Sequence, residues 1–108
     1  MTAKPVVLLP QAGRDIQQAL QHYGHEGGEP IALKWVAAIE TALRHVGAHP
    51  RAGSARYATV LMLTGLRFWP VKAFPYLLFY VEREAQVDVW RVLHGQRDIP
   101  GWLRQPDP

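Results

Sequence analysis

The 108-residue chain contains no cysteine. That excludes a disulfide framework, a thiolate metal site and a cysteine nucleophile. No apolar run approaches the roughly 20 residues needed to cross a bilayer, and Val6-Val7-Leu8-Leu9 is too short for the apolar part of a secretion signal. A cytoplasmic protein without a membrane partner is the expectation. Acidic residues are missing from one long window: none occurs between Glu40 and Glu82. Paired carboxylates, a Ser-His-Asp set and a glycine-rich phosphate loop do not stand out either. His22 and His25 lie three apart, but Gly24 intervenes and no third ligand is near, so no metal and no cofactor is expected.

What is present is ordinary for one compact domain. Hydrophobic residues make up 48% of the chain and charged residues 19%, enough apolar material to offset the entropy of ordering. The expectation is a single domain over 1–108, with residues 104–108 as a frayed tail. The net charge is +3, and its distribution matters more than its size. The window without acids holds Arg44, Arg51, Arg56, Arg67 and Lys72, plus His45 and His49. Folded onto one surface, these cations would attract an anionic partner. Scattered, they are only a solvated surface.

The order of elements can be read from apolar spacing. Val6 to Leu9 reads as a strand, stopped by Pro10, which suits the first turn of a helix. Ala12, Ile16, Ala19, Leu20 and Tyr23 recur with a helical period. Gly24 and Gly27-Gly28 stop that helix, and Glu29-Pro30 opens a second. Its apolar face is Ala32, Trp35, Val36, Ile39, Leu43 and Val46, so Trp35 belongs to the core. Two such helices across a glycine link form an antiparallel hairpin. Residues 48–65 are punctuated by Pro50, Gly53, Ser54 and Gly65, and Tyr57–Leu63 fits either a helical turn or an extended crossing.

Three strands follow. Leu66–Val71 contains Pro70 and reads as an edge strand or one ending in a bulge. Tyr76–Val81 is apolar on both faces and reads as central. Gln86–Leu93 alternates, which puts Val87, Val89, Arg91 and Leu93 on one face. Asp98 can cap a last short helix through Trp102 and Leu103. The fold class is thus α+β, in the order β-α-α-β-β-β plus a short C-terminal helix. The sheet is twisted and mainly antiparallel, and the helix hairpin covers one face. The other face is left open, as binding surface.

This order, with five short segments, resembles the RelE/ParE superfamily, the toxin halves of bacterial type II toxin–antitoxin pairs. The segments are Leu8-Leu9-Pro10-Gln11-Ala12 with Asp15-Ile16; His49-Pro50-Arg51-Ala52-Gly53; Gly65-Leu66-Arg67-Phe68-Trp69-Pro70-Val71; Phe74-Pro75-Tyr76-Leu77-Leu78-Phe79-Tyr80; and Arg91-Val92-Leu93-His94-Gly95-Gln96-Arg97-Asp98-Ile99. The resemblance is closest to the ParE-like, plasmid-stabilisation branch. It implies a cognate antitoxin as partner and operator DNA contacted only through that antitoxin. It also implies growth inhibition by binding a target such as DNA gyrase. The alternative is a RelE-like, ribosome-dependent mRNA endonuclease.

Cleavage by 2′-OH attack needs a base, an acid and cations for the phosphorane. Here Tyr76 stands where the RNA-cleaving branch carries an arginine, and the tail lacks a terminal His-Tyr pattern. Only His94, Arg91 and Arg67 remain as catalytic candidates. The candidates for partner or target contact are Arg51, Arg56, Arg67, Lys72, Tyr76, Arg91, His94 and Arg97. Each has a plainer reading. His94 can hydrogen-bond backbone at a strand end. Arg97 and Asp98 can form a local pair. Arg91 either snorkels from the core edge or awaits a carboxylate. Trp69 and Trp90 fit packing better than base stacking.

Overall fold

The computed structural model describes residues 3–96 and 99–103. Arg97, the Asp98 cap and the tail at 104–108 lie outside the described residues. The elements run β1 (Val6–Leu8), α1 (Pro10–Ala48), α2 (Arg56–Leu61), β2 (Leu66–Pro70), β3 (Tyr76–Glu82), β4 (Val87–His94) and α3 (Ile99–Leu103). One sheet has the order β1-β4-β3-β2. β1 lies parallel to β4, whereas β4, β3 and β2 are antiparallel neighbours.

α1 is two arms joined at Gly28, whose φ of 77° and ψ of −173° lie outside the helical region. Glycine reaches that conformation without a Cβ clash, and Pro30 then starts the second arm with a preset φ. The arms (10–27 and 29–48) fold back on each other. The Trp35 indole Nε1–H donates to the Ile16 carbonyl at 3.2 Å, across 19 residues, and the Tyr23 and Trp35 rings lie 5.5 Å apart. The hairpin expected from the glycine link is therefore present, and Pro10 occupies the first turn.

The helix hairpin and one sheet face enclose the larger core. Ala12 and Ala19 come from the first arm, and Trp35, Ile39, Ala42 and Val46 from the second. The sheet supplies Leu78, Tyr80, Val87, Val89 and Val92. Gly47 lets the second arm approach the N-terminal segment: a Cβ there would sit 2.9 Å from both the Lys4 carbonyl and Val6 Cγ2.

The opposite sheet face is not open, which corrects the expectation from the element order. Tyr57, Ala58 and Leu61 of α2 and Ile99 and Leu103 of α3 pack there against Leu66, Phe79, Val81 and Leu93. Residues 56–61 form the helical alternative, and Met62 ends the helix in the left-handed region at φ 54°. Two helices of six and five residues carry too few turns to show a period in sequence.

β4 also departs from simple alternation. Phe79 pairs with Arg91 and the next residue, Tyr80, with Val89, so Trp90 is an extra residue on β4. Such a bulge reverses the side-chain alternation beyond it. Leu93 therefore joins the second core rather than the face of Val87 and Val89. Arg91 stays on the helix side, where it meets Asp15.

That meeting is a buried ion pair. Arg91 and Asp15 are each 7% exposed. Arg91 Nε and Nη2 donate to the two carboxylate oxygens at 2.8 and 3.0 Å. The Val92 backbone N–H (2.9 Å) and Gln11 Nε2 (3.1 Å) donate to the same carboxylate. Bidentate geometry and added donors offset the loss of hydration. Asp15→Ala leaves the guanidinium buried and unpaired. It is expected to lower unfolding free energy by roughly 3–5 kcal/mol, read as a shifted urea midpoint with an unchanged slope.

Candidate functional site

Four separate environments hold the residues singled out in the sequence. The first is the core itself. Arg91, expected to face a partner, is buried against Asp15. It serves the fold, because the bulge directs it under the first arm of α1 and a carboxylate waits there. A catalytic or contact role for Arg91 would require its release from that carboxylate. Sequence reading left Asp15 unassigned on the first arm, although it follows Ala12 by one helical step of three and so shares its face.

The second environment is the loop at 49–56. The Tyr80 hydroxyl, buried beneath it, donates to the Pro50 carbonyl at 2.9 Å and accepts from the Gly53 N–H at 3.0 Å. Burial raises the Tyr80 pKa above its ordinary value, so the phenol stays protonated and can donate. A Cβ at Gly53 would collide with that hydroxyl, which is why the position is glycine. Arg67 Nη1 donates to the Gly53 carbonyl at 2.8 Å, and Ser54 exchanges two backbone hydrogen bonds with Phe68. Arg51, Arg56 and Arg67 thus gather around one pinned loop. Arg51 is highly exposed, and the Arg56 guanidinium lies 5.3 Å from the Tyr57 ring centre. Val60 and Met62, 61% and 89% exposed, continue the same segment.

This loop also closes the β2 edge. Leu66 N–H is bonded to Leu63 O, Phe68 to Ser54, and Pro70 has no N–H. A strand cannot add there. β1 is the other edge, three residues long and flanked by Pro5 and Pro10.

The third environment is a groove of about 500 Å³ between the second arm of α1 and the β2–β3 turn. Its walls are Ile31, Ala37, Ala38, Ala73 and Phe74, with Thr41 beside them. Lys34 and Lys72 are its charged members, and no acid lines it. Small alanines keep the helix surface low, so an apolar side chain can enter between the two lysines.

The fourth is a cleft of about 320 Å³ between the first arm and the ends of β3 and β4. Tyr76 and His94 face each other across the ladder with ring centres 5.4 Å apart. His94 Nδ1 accepts from the Gln96 N–H at 3.1 Å. Gln18, and His22, which was weighed only as a metal ligand with His25, line the same cleft.

Arg67, Arg91 and His94 therefore do not converge. Arg67 pairs with Tyr80, four residues along β3 from Tyr76 and His94, a separation of roughly 13 Å at strand rise. Among the described residues, no group of three His, Asp or Glu side chains could hold a metal ion. No described helix is long and apolar enough to cross a membrane.

A helix hairpin packed on one face of a four-stranded sheet, with a loop of arginines pinned by the Tyr80 hydroxyl, is an arrangement that known proteins share. The model of the ParE toxin family of type II toxin–antitoxin systems (parDE) matches residues 6–99. The chain belongs to that family, and it is the toxin component of such a module. A chain of the chromosomal ParDE TA system from P. aeruginosa superposes with a TM-score of 0.71 at 17% identity. The match covers 85% of this chain and 96% of that one, and it supports the fold. No curated protein sequence matches significantly.

The acid that balances the arginine loop is Glu82. Lys4 Nζ lies 2.8 Å from its carboxylate and Arg51 Nε 3.7 Å. The Lys4 hydrogen bond, against some burial, holds the Glu82 pKa below its ordinary 4.5. A depressed pKa stabilises the folded state above the unfolded value, and the contribution disappears as pH falls through the folded value. Glu82→Gln is expected to melt roughly 2–4 °C lower at pH 7. That gap should close as pH falls below the ordinary carboxyl value of 4.5 and through the depressed folded value, where both chains carry a neutral group.

Proposed function

We propose that the toxin arrests growth by binding a macromolecular target such as DNA gyrase, and that its antitoxin docks in the groove between the second arm of α1 and the β2–β3 turn. The observation that carries the first part is the engagement of the two arginines that a nuclease would need. Arg91 is buried on Asp15, and Arg67 is tied to the Gly53 carbonyl. Cations held that way do not reach a phosphorane. The exposed side chains of Arg51 and Arg56, next to Val60 and Met62, offer a target surface instead. Charged rims of this kind act mainly on encounter rate and orientation.

The groove supports the second part. Its apolar walls and two lysines fit a segment with one or two large apolar residues flanked by acids. An antitoxin tail that orders on binding meets that description. Both edges of the sheet give little room for an added strand, so a helix or extended segment lying in the groove is the favoured mode. Operator DNA would then be reached through the antitoxin, in the cytoplasm.

The alternative is mRNA cleavage on the ribosome, with His94 as its acid or base. Purified toxin should inhibit supercoiling by gyrase and leave mRNA intact in a translation reaction. Cleavage abolished by His94→Ala would overturn the binding reading. Lys34→Glu with Lys72→Glu should weaken antitoxin affinity by roughly tenfold or more at low salt, with less effect at high salt. An unchanged affinity measured by titration calorimetry would remove the groove from the account.

A further inference from the structure

The cleft between the first arm and the β3–β4 ends has no role in that reading. Its chemistry differs from that of the lysine groove. Four side chains that can both donate and accept hydrogen bonds line it: Gln18, His22, Tyr76 and His94. Among the described residues, no hydrogen bond engages the Gln18 amide, the His22 imidazole or the Tyr76 hydroxyl. His94 uses Nδ1 internally and keeps Nε2 for another partner. The floor is apolar, from Ala19 and Val92. Asp15 also borders the cleft, but its charge is matched by Arg91 and its oxygens already accept four donors.

These features select a ligand class. A phosphate or carboxylate would need a cation directed at it, and the charged group in the lining is the neutralised carboxylate. A purely apolar ligand would strip water from four polar groups without replacing their bonds. A planar heteroaromatic ring satisfies both conditions. Its edge carries mixed donors and acceptors, and its faces can lie on the apolar floor and against the Tyr76 and His94 rings. About 320 Å³ is room for such a ring and part of an attached sugar. The half-open mouth leaves the rest of a chain outside.

We propose that this cleft binds a nucleobase, presented either by a free nucleotide or by single-stranded RNA. Tyr76 is held firmly for the task. Its ring packs edge-on at 4.9 Å from Trp35, which is buried in the core. Binding should therefore change Trp35 fluorescence as well as the histidine resonances. The site is independent of the antitoxin groove, which lies on the other arm of α1.

The test titrates the full-length toxin with AMP, GMP, CMP and UMP, following the His22 and His94 ring signals by NMR. Ribose 5-phosphate and a six-residue oligoribonucleotide run beside them. At least one mononucleotide should saturate at submillimolar to low-millimolar concentration, and ribose 5-phosphate should not bind. Tyr76→Phe, which keeps the packed ring, should weaken binding roughly fivefold, the equivalent of one hydrogen bond. His22→Ala with His94→Ala should weaken it by about tenfold or more. Lys34→Glu should leave it unchanged. A hexamer that binds much more tightly than any mononucleotide supports RNA as the source, and equal affinity supports a free nucleotide. Ribose 5-phosphate binding as well as AMP overturns the proposal in favour of an anion site. So does the lack of any saturable shift up to about 10 mM, or affinity that survives all three cleft substitutions.

Discussion

The contact on which the rest depends is the salt bridge between Asp15 and Arg91. It joins residues 76 positions apart and ties the first arm of α1 to the central strand β4. Charge buried this deeply is costly unless every lone pair finds a donor, and here the backbone N–H of Val92 completes the set. That bond fixes the β4 backbone just past the bulge, where alternation reverses. The pair thus holds the hairpin at one angle to the sheet and holds the bulge in register. Two consequences follow: Val92 turns into the larger core, and Leu93 turns toward α2 and α3.

Around this frame lie three surfaces with different chemistry. The loop pinned by the Tyr80 hydroxyl carries exposed arginines beside bare apolar side chains, and it closes one sheet edge. The groove along the second arm is apolar with lysines at its side. The cleft along the first arm is rich in groups that donate and accept, and the carboxylate at its border is matched by Arg91. Under the proposed reading, antitoxin and target would meet different side chains, because the lysine groove and the arginine loop have no lining residue in common.

Much of this was legible in the residues. The helical spacing of apolar residues and the glycine pair pointed to both arms of the hairpin, Pro70 marked the edge strand, and Trp35 was placed in the core. The segments from Leu8-Leu9-Pro10 to Arg91-Val92-Leu93-His94 pointed to the family. Three things were hidden for physical reasons. A bulge leaves no trace in a strand that otherwise alternates, so Leu93 was assigned to the wrong face. Helices of five or six residues are shorter than two turns, so the cover on the second sheet face went unseen. Long-range pairing is not encoded in local spacing, so the residues left open whether Arg91 snorkels or awaits a carboxylate, and nothing pointed to Asp15 as that carboxylate. The same limit kept His22 apart from His94 until the first arm was laid over the strand ends.

The central claim is that Arg91 builds the fold and takes no direct part in toxicity. Replacing the pair together tests it most directly, with Asp15→Asn to keep an acceptor for the Val92 N–H and Arg91→Met to fill the space without charge. The account predicts a cooperatively folded chain that still arrests growth on expression and is still neutralised by its antitoxin. A double variant that melts like the wild type and yet leaves growth unaffected would show that the guanidinium itself acts on the target.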